Sequence, residues 1–184
     1  MKKISVLGIC GSLRKASANM GLLRFAQQNP PENMEIHIAD LSEIPFYNQD
    51  ISEKPASVLN FFSKLEKADA LLLACPEYNY SMAPALKNAL DWASREPENH
   101  LLSGKTGAIL GAGGGMGTSR AQYHLRQSCV YLNIHLLNNP EFFSNFFIPG
   151  NFNDKGDLIS ENLQKQLKDL LKALQDWHFK LNPA

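Results

Sequence analysis

No run of apolar residues in the 184-residue sequence is long enough to cross a bilayer. An excess of either charge is also missing, since 18 Lys and Arg balance 18 Asp and Glu. That excludes the basic surface a nucleic-acid partner calls for. It equally excludes the strong acidity of an electron carrier steered by its charge. Cysteine is scarce: Cys10, Cys75 and Cys129 stand without CxxC or metal spacing. So odd and sparse a set reads as small buried residues in a reducing cytosol. The five histidines show no ligand spacing, so no metal is expected. There is no GxSxG elbow, which excludes the serine hydrolases built on it. Lys2 and Lys3 precede an apolar stretch ending at Cys10 and outline a signal peptide. The stretch is at the short limit and no small-residue cleavage site follows, so a cytoplasmic protein is expected.

What is there is an alternation of apolar runs and helical patterns, without repeats, over a length that suits one domain, residues 1–184. Ile4–Cys10 is a continuous apolar run, the mark of a parallel strand covered on both faces. A helix is predicted over Asn19–Gln28, stopped by Pro30 and Pro31. Glu35–Asp40 alternates as an edge strand does, and Val58, Leu59, Phe62 and Leu65 keep helical spacing. Ala68–Cys75 and Thr106–Ala112 read as further buried strands. Pro84 starts a helix, where its missing N–H costs nothing. A helix from Arg120 to Leu132 leads to a short fifth strand, Asn133–Leu137. The last helix carries Leu163, Leu167, Leu170, Leu171, Leu174 and Trp177 on one face. Five strands and their crossovers predict an α/β fold, a doubly wound five-stranded parallel sheet of flavodoxin-like order 2-1-3-4-5 with helices on both faces.

Ligands of such sheets bind beyond the carboxyl ends of the strands, which directs attention to the loops after strands 1, 3 and 4. The first, Gly11–Asn19 (GSLRKASAN), offers Ser12, Ser17 and Asn19 as polar groups, Arg14 as a fork for phosphate oxygens, and free N–H groups at a helix start. It has neither the three glycines of a dinucleotide fingerprint nor the closing Lys of a Walker loop. So hydroxyl-rich a loop suits the terminal phosphate of a mononucleotide; a solvated turn with a capping serine is the competing reading. The second loop is PEYNYSM, residues 76–82. Its Tyr78 and Tyr80 either wall a planar heterocycle or pack over the sheet end. The third, GAGGGMGTS, has five glycines between 111 and 117 and lets backbone approach a flat ligand, or is a flexible surface loop. Asp40 ends the second strand, where a dinucleotide fold places its ribose-binding acid, so a Rossmann dehydrogenase remains the rival fold reading.

With GSLRKASAN at 11–19, DLSEIPFYNQD at 40–50, PEYNYSMAPALKNALDW at 76–92 and GGMGTSRAQYHLRQ at 114–127, the chain resembles the NADPH-dependent FMN reductase family, and within it the quinone and chromate reductases. The resemblance implies FMN as cofactor and NADPH or NADH as electron donor. It implies that residues 12–19 form the FMN phosphate loop, with Ser12, Arg14, Ser17 and Asn19 as its polar contacts, and that Met20 also binds the cofactor. Glu77, Tyr78, Asn79 and Tyr80 would border the isoalloxazine, partly through backbone groups, with Pro76 also binding the cofactor, and Ala112 and Gly113 would lie at its pyrimidine side. Hydride would pass through flavin N5 to a small-molecule acceptor (quinone, azo, nitro, chromate or free flavin), with no catalytic side chain. The other readings are a flavodoxin-type carrier and a non-enzymatic FMN-binding partner. Residues 138–152 hold five of the ten phenylalanines, Phe142, Phe143, Phe146, Phe147 and Phe152. So apolar a connection predicts an interface. The resemblance likewise implies a homo-oligomer, a dimer or tetramer, with this segment or the Arg120–Gln127 helix at a contact. No nucleic acid and no membrane is expected as partner.

Overall fold

Ile4–Cys10 forms strand β1 in the computed structural model, which describes residues 3–183. In chain order there follow α1 (Ala18–Gln28), β2 (Met34–Ile38), α2 (Ala56–Lys67), β3 (Ala70–Ala74), the two-residue strands β4 (Glu77–Tyr78) and β5 (Ser81–Met82), and α3 (Pro84–Ala93). Then come β6 (Thr106–Gly113), α4 (Ser119–Tyr131), β7 (His135–Leu136), β8 (Phe142–Asn145) and α5 (Glu161–Leu181). The main sheet has the order β2-β1-β3-β6-β7, with β8 also on β6, and every pairing in it is parallel. This is the flavodoxin-like order, and it removes the dinucleotide-fold alternative.

Side-chain alternation sorts the core into two layers. Ile4, Val6 and Cys10 of β1 face α1 and α5, with Leu22, Leu167 and Leu171 among their neighbours. Leu7 and Ile9 face the layer of α2, α3 and α4, with Phe61, Leu86 and Leu125. Strand β3 is buried throughout because helices cover both its faces, whereas β2 leaves His37 exposed, as an edge strand does. Asn88 and Trp92 of α3 donate to the Pro45 carbonyl at 2.9 and 2.8 Å, so the 40–50 segment lies along that helix.

The fifth sheet position corrects the expectation of one strand at 133–137. The strand is split: His135–Leu136 pairs with Thr106–Gly107, and Phe142–Asn145 pairs with Leu110–Gly113. Pro140, which cannot donate to a ladder, sits in the interruption. The residues beyond it alternate, Phe142 and Ser144 buried and Phe143 and Asn145 half-buried. Part of the phenylalanine-rich segment is therefore sheet and core. Phe146 and Phe152 are half-buried and in ring contact, and Phe147 is the one left 74% exposed.

Candidate functional site

The carboxyl ends of β1, β3 and β6 open onto a cleft of about 200 Å3. Its floor is the first loop, with Ser12, Arg14, Ser17, Ala18 and Asn19. Pro76, Glu77 and Tyr78 form one wall, and Ala112, Gly113 and Gly114 another. Phe146 and Phe147 close the far side. The sequence places these two phenylalanines in a segment expected at an interface, and it does not announce their place at the cleft. Their signal was hidden because β8, which carries them to the mouth, lies beyond what looked like a loop. A larger cleft of about 500 Å3 opens at the β2 edge, beside Glu35, His37, Lys64 and Lys67 and the amino-terminal half of β1. No loop from a strand's carboxyl end reaches it, so size does not make it the site.

The floor is built for an anion. Ser17 caps α1, its hydroxyl accepting from Met20 N–H at 3.2 Å. The N–H groups of Ala18 and Asn19, in the first helical turn, have no intrahelical acceptor and carry the positive end of the helix dipole. Ser12 is buried and its hydroxyl accepts from Arg14 N–H at 3.4 Å, which leaves its own proton to donate. Arg14 and Lys15 are exposed and make no ion pair among the described residues. The Cys10 thiol lies beneath the loop, accepting from Ser12 N–H at 3.4 Å. Burial pushes its pKa up, against the opposing hydrogen bond from the Ser12 backbone, so no thiolate repels an anion above it at neutral pH.

Asn19 is buried, and its side chain is spent elsewhere than on the open floor. Its Nδ2 donates to the Ala112 carbonyl at 2.8 Å and its Oδ1 accepts from Ala112 N–H at 3.0 Å. Met20 is half-buried against the α1–α5 core and contributes no side chain to the cleft.

The second loop is a hairpin. Glu77 pairs with Met82 and Tyr78 with Ser81, across a two-residue turn in which Asn79 and Tyr80 both have positive φ, 49° and 67°. Two such residues make the tight primed turn that hairpins favour. Tyr80 is an unusual occupant, because a bulky side chain there costs about 1–3 kcal/mol. Its ring is held by Arg120, whose guanidinium carbon lies 3.6 Å from the ring centroid. Arg120 is also ion-paired with Glu77, and the Glu77 carboxylate accepts from Ala121 N–H at 3.4 Å. The hairpin is thus pinned to the start of α4. Tyr78, partly exposed, is the tyrosine at the cleft, whereas Asn79 and Tyr80 stand at the hairpin tip outside it.

In the third loop the glycines divide. A Cβ on Gly111 would fall 1.9 Å from Thr118 Oγ1, and one on Gly113 2.2 Å from the Gly117 carbonyl oxygen. These two are required by the protein's own packing. Gly114 and Gly115 have nothing within 4 Å of that position, and Gly114 is the one of the two that lines the cleft.

Such a site, on a flavodoxin-like sheet, is that of a protein taking a planar ligand with an anionic tail at its strand ends. Residues 4–148 match the model of the NADPH-dependent FMN reductases. An NAD(P)H-dependent FMN reductase of Pseudomonas aeruginosa is 49% identical over 177 residues, 95% of each chain. An NAD(P)H:quinone oxidoreductase of Solanum tuberosum is 46% identical over 97% of this chain and 94% of its own. The solved flavoenzyme NAD(P)H:(acceptor) oxidoreductase of Paracoccus denitrificans superposes with a TM-score of 0.86 at 31% identity, covering 96% of this chain and 98% of that one. The chain belongs to the NADPH-dependent FMN reductase family. The cleft fits FMN on its own chemistry: unsatisfied N–H groups and unpaired cations for a phosphate, and Tyr78 and bare backbone for a flat ring.

Proposed function

We propose that the protein is an FMN-dependent NAD(P)H:quinone oxidoreductase of the cytoplasm. The observation that carries this is one cleft in which a helix start with Arg14, unpaired among the described residues, meets the Tyr78 wall and the bare Gly113–Gly114 backbone. Ser12, Arg14, Ser17 and the N–H groups opening α1 hold the phosphate. Pro76, Glu77, Tyr78, Ala112 and Gly113 border the ring. FMN held there would supply the hydride-transfer chemistry. The protein's part is to bind, orient and keep water from the ring. Among the described residues the one carboxylate lining the cleft, Glu77, is tied to Arg120 and so is not free to act as a general acid or base. In this reading nicotinamide and quinone use the same open face of the ring in turn. Steady-state rates varied against both substrates are expected to give parallel double-reciprocal lines. Intersecting lines, with both substrates bound together, would overturn the shared face, and no nicotinamide turnover at all would leave a carrier.

The same reading includes a homodimer or tetramer. Tyr123, Val130 and Tyr131 expose apolar surface along α4, and Phe147 and Ile148 do so beside the cleft. Such side chains in this density favour a partner surface, and the neutral net charge adds no long-range repulsion between copies. Light scattering of the FMN-loaded protein at micromolar concentration is expected to give at least twice the 20.5 kDa chain mass. A monomer with full reductase activity would refute the assembly.

A further inference from the structure

Strand β3 ends before β6 does. The last pair of the β3–β6 ladder is Ala74 with Leu110, followed by the bond from Cys75 N–H to the Leu110 carbonyl at 2.9 Å. Strand β6 runs on to Gly113. In a parallel strand the N–H and C=O of one residue point to the same edge, and those of every second residue agree. Ala112 therefore turns both groups to the edge β3 has vacated, in a buried position where unpaired polar groups are costly. The side-chain amide of Asn19 takes both, from 93 residues away. It stands in for the missing strand residue, and it joins the first turn of α1 to the third loop.

We propose that the Asn19 side chain is a positioning group for the ring end of the flavin site and not a ligand of the phosphate, a role that rests on the FMN reading above; the Asn19 backbone N–H stays with the helix start. Through this clasp the helix start that receives the phosphate and the Ala112–Gly113 backbone at the ring are held as one unit. Without it Ala112 loses its partners on that edge, and the backbone at the cleft rim is free to turn away.

The two ends of the cofactor report separately. In protein saturated with FMN, the phosphorus NMR resonance reads the phosphate end, and visible circular dichroism reads the ring. Asn19→Ala is expected to weaken FMN binding about tenfold, on the scale of a buried group left unpaired, to change the visible bands, and to leave the phosphorus resonance at its wild-type position. Asn19→Asp keeps the size and the bond to Ala112 N–H but sets a carboxylate against the Ala112 carbonyl; it should change the visible bands in the same way. Arg14→Ala should do the reverse, moving the phosphorus resonance and sparing the ring bands. A shifted phosphorus resonance with unchanged ring bands in the Asn19 variants would make the Asn19 side chain a phosphate ligand and overturn the proposal. So would wild-type affinity and spectra with only a lowered melting temperature, which is the signature of a merely structural clasp. Wild-type protein that binds no FMN overturns the flavin reading first, before any substitution is made, and this role with it.

Discussion

Gly21→Ala is expected to destabilise the protein by roughly 3 kcal/mol or more, at or above the upper end of ordinary overpacking. An added Cβ at Gly21 would lie 1.8 Å from the Gly156 carbonyl oxygen and 2.8 Å from its carbon. Both are backbone atoms, so no side-chain rotation relieves the overlap. Gly156 cannot retreat easily either: it has φ +78° and sits against the Ser17 backbone. The methyl must therefore push α1 off the 153–158 turn. That turn is tied to the same helix by the Arg24–Asp157 ion pair, which depresses the Asp157 pKa through its hydrogen bond to Arg24. Since α1 carries Ser17 at its start, FMN affinity should fall together with stability. Gly114→Ala is the control, because the space there is open, and it should shift the unfolding free energy by less than about 0.5 kcal/mol. Chemical denaturation of the two apoproteins makes the comparison. Equal midpoints would show that the α1 contact is not tight.

The second large effect falls on ligand choice. FMN should bind on the order of a hundredfold or more tighter than riboflavin, because the floor of the cleft offers several charge-assisted or helix-end hydrogen bonds that riboflavin cannot use. Arg14→Ala should remove roughly 1.5–3 kcal/mol of the FMN affinity, the range for a hydrogen bond to a charged group. Riboflavin affinity should barely change in that variant. So should the melting temperature of the apoprotein, because Arg14 is exposed and its side chain makes no bond among the described residues. Flavin fluorescence titrations of wild type and variant with both ligands give all four affinities. Equal wild-type affinities for the two flavins would place the phosphate elsewhere.

Much of the fold is legible in the sequence wherever burial dictates composition. Strands β1, β3 and β6 are apolar without interruption because helices cover both faces, and β2 alternates because it is an edge. The cleft floor is legible too, since hydroxyls and a cation just before a helix have a local physical reason to be there. What is not legible depends on distant partners. Nothing near Asn19 announces that its amide meets Ala112. The hairpin at 77–82 lacks the Asn-Gly or Asp-Gly pair that marks a primed turn; its strained Tyr80 is held by Arg120, forty residues on. The glycines of the third loop look alike in sequence, yet Gly111 and Gly113 answer to the loop's own packing and only Gly114 and Gly115 face outward. Strand β8 escaped because Asn138, Asn139 and Pro140 punctuate the chain as a turn would.

The three cysteines have a chemical consequence for an enzyme that handles quinones. A quinone is an electrophile that arylates thiols, and the species it attacks is the thiolate. Cys10, Cys75 and Cys129 are all buried and unpaired as disulfides. Burial pushes the Cys75 and Cys129 pKa values up to about 12 and raises that of Cys10 as well. Even Cys10, directly beneath the cleft, shows the incoming substrate neither access nor a nucleophile. The fold thus protects the catalyst from covalent self-inactivation by its own substrate, by leaving that substrate no sulfur to add to.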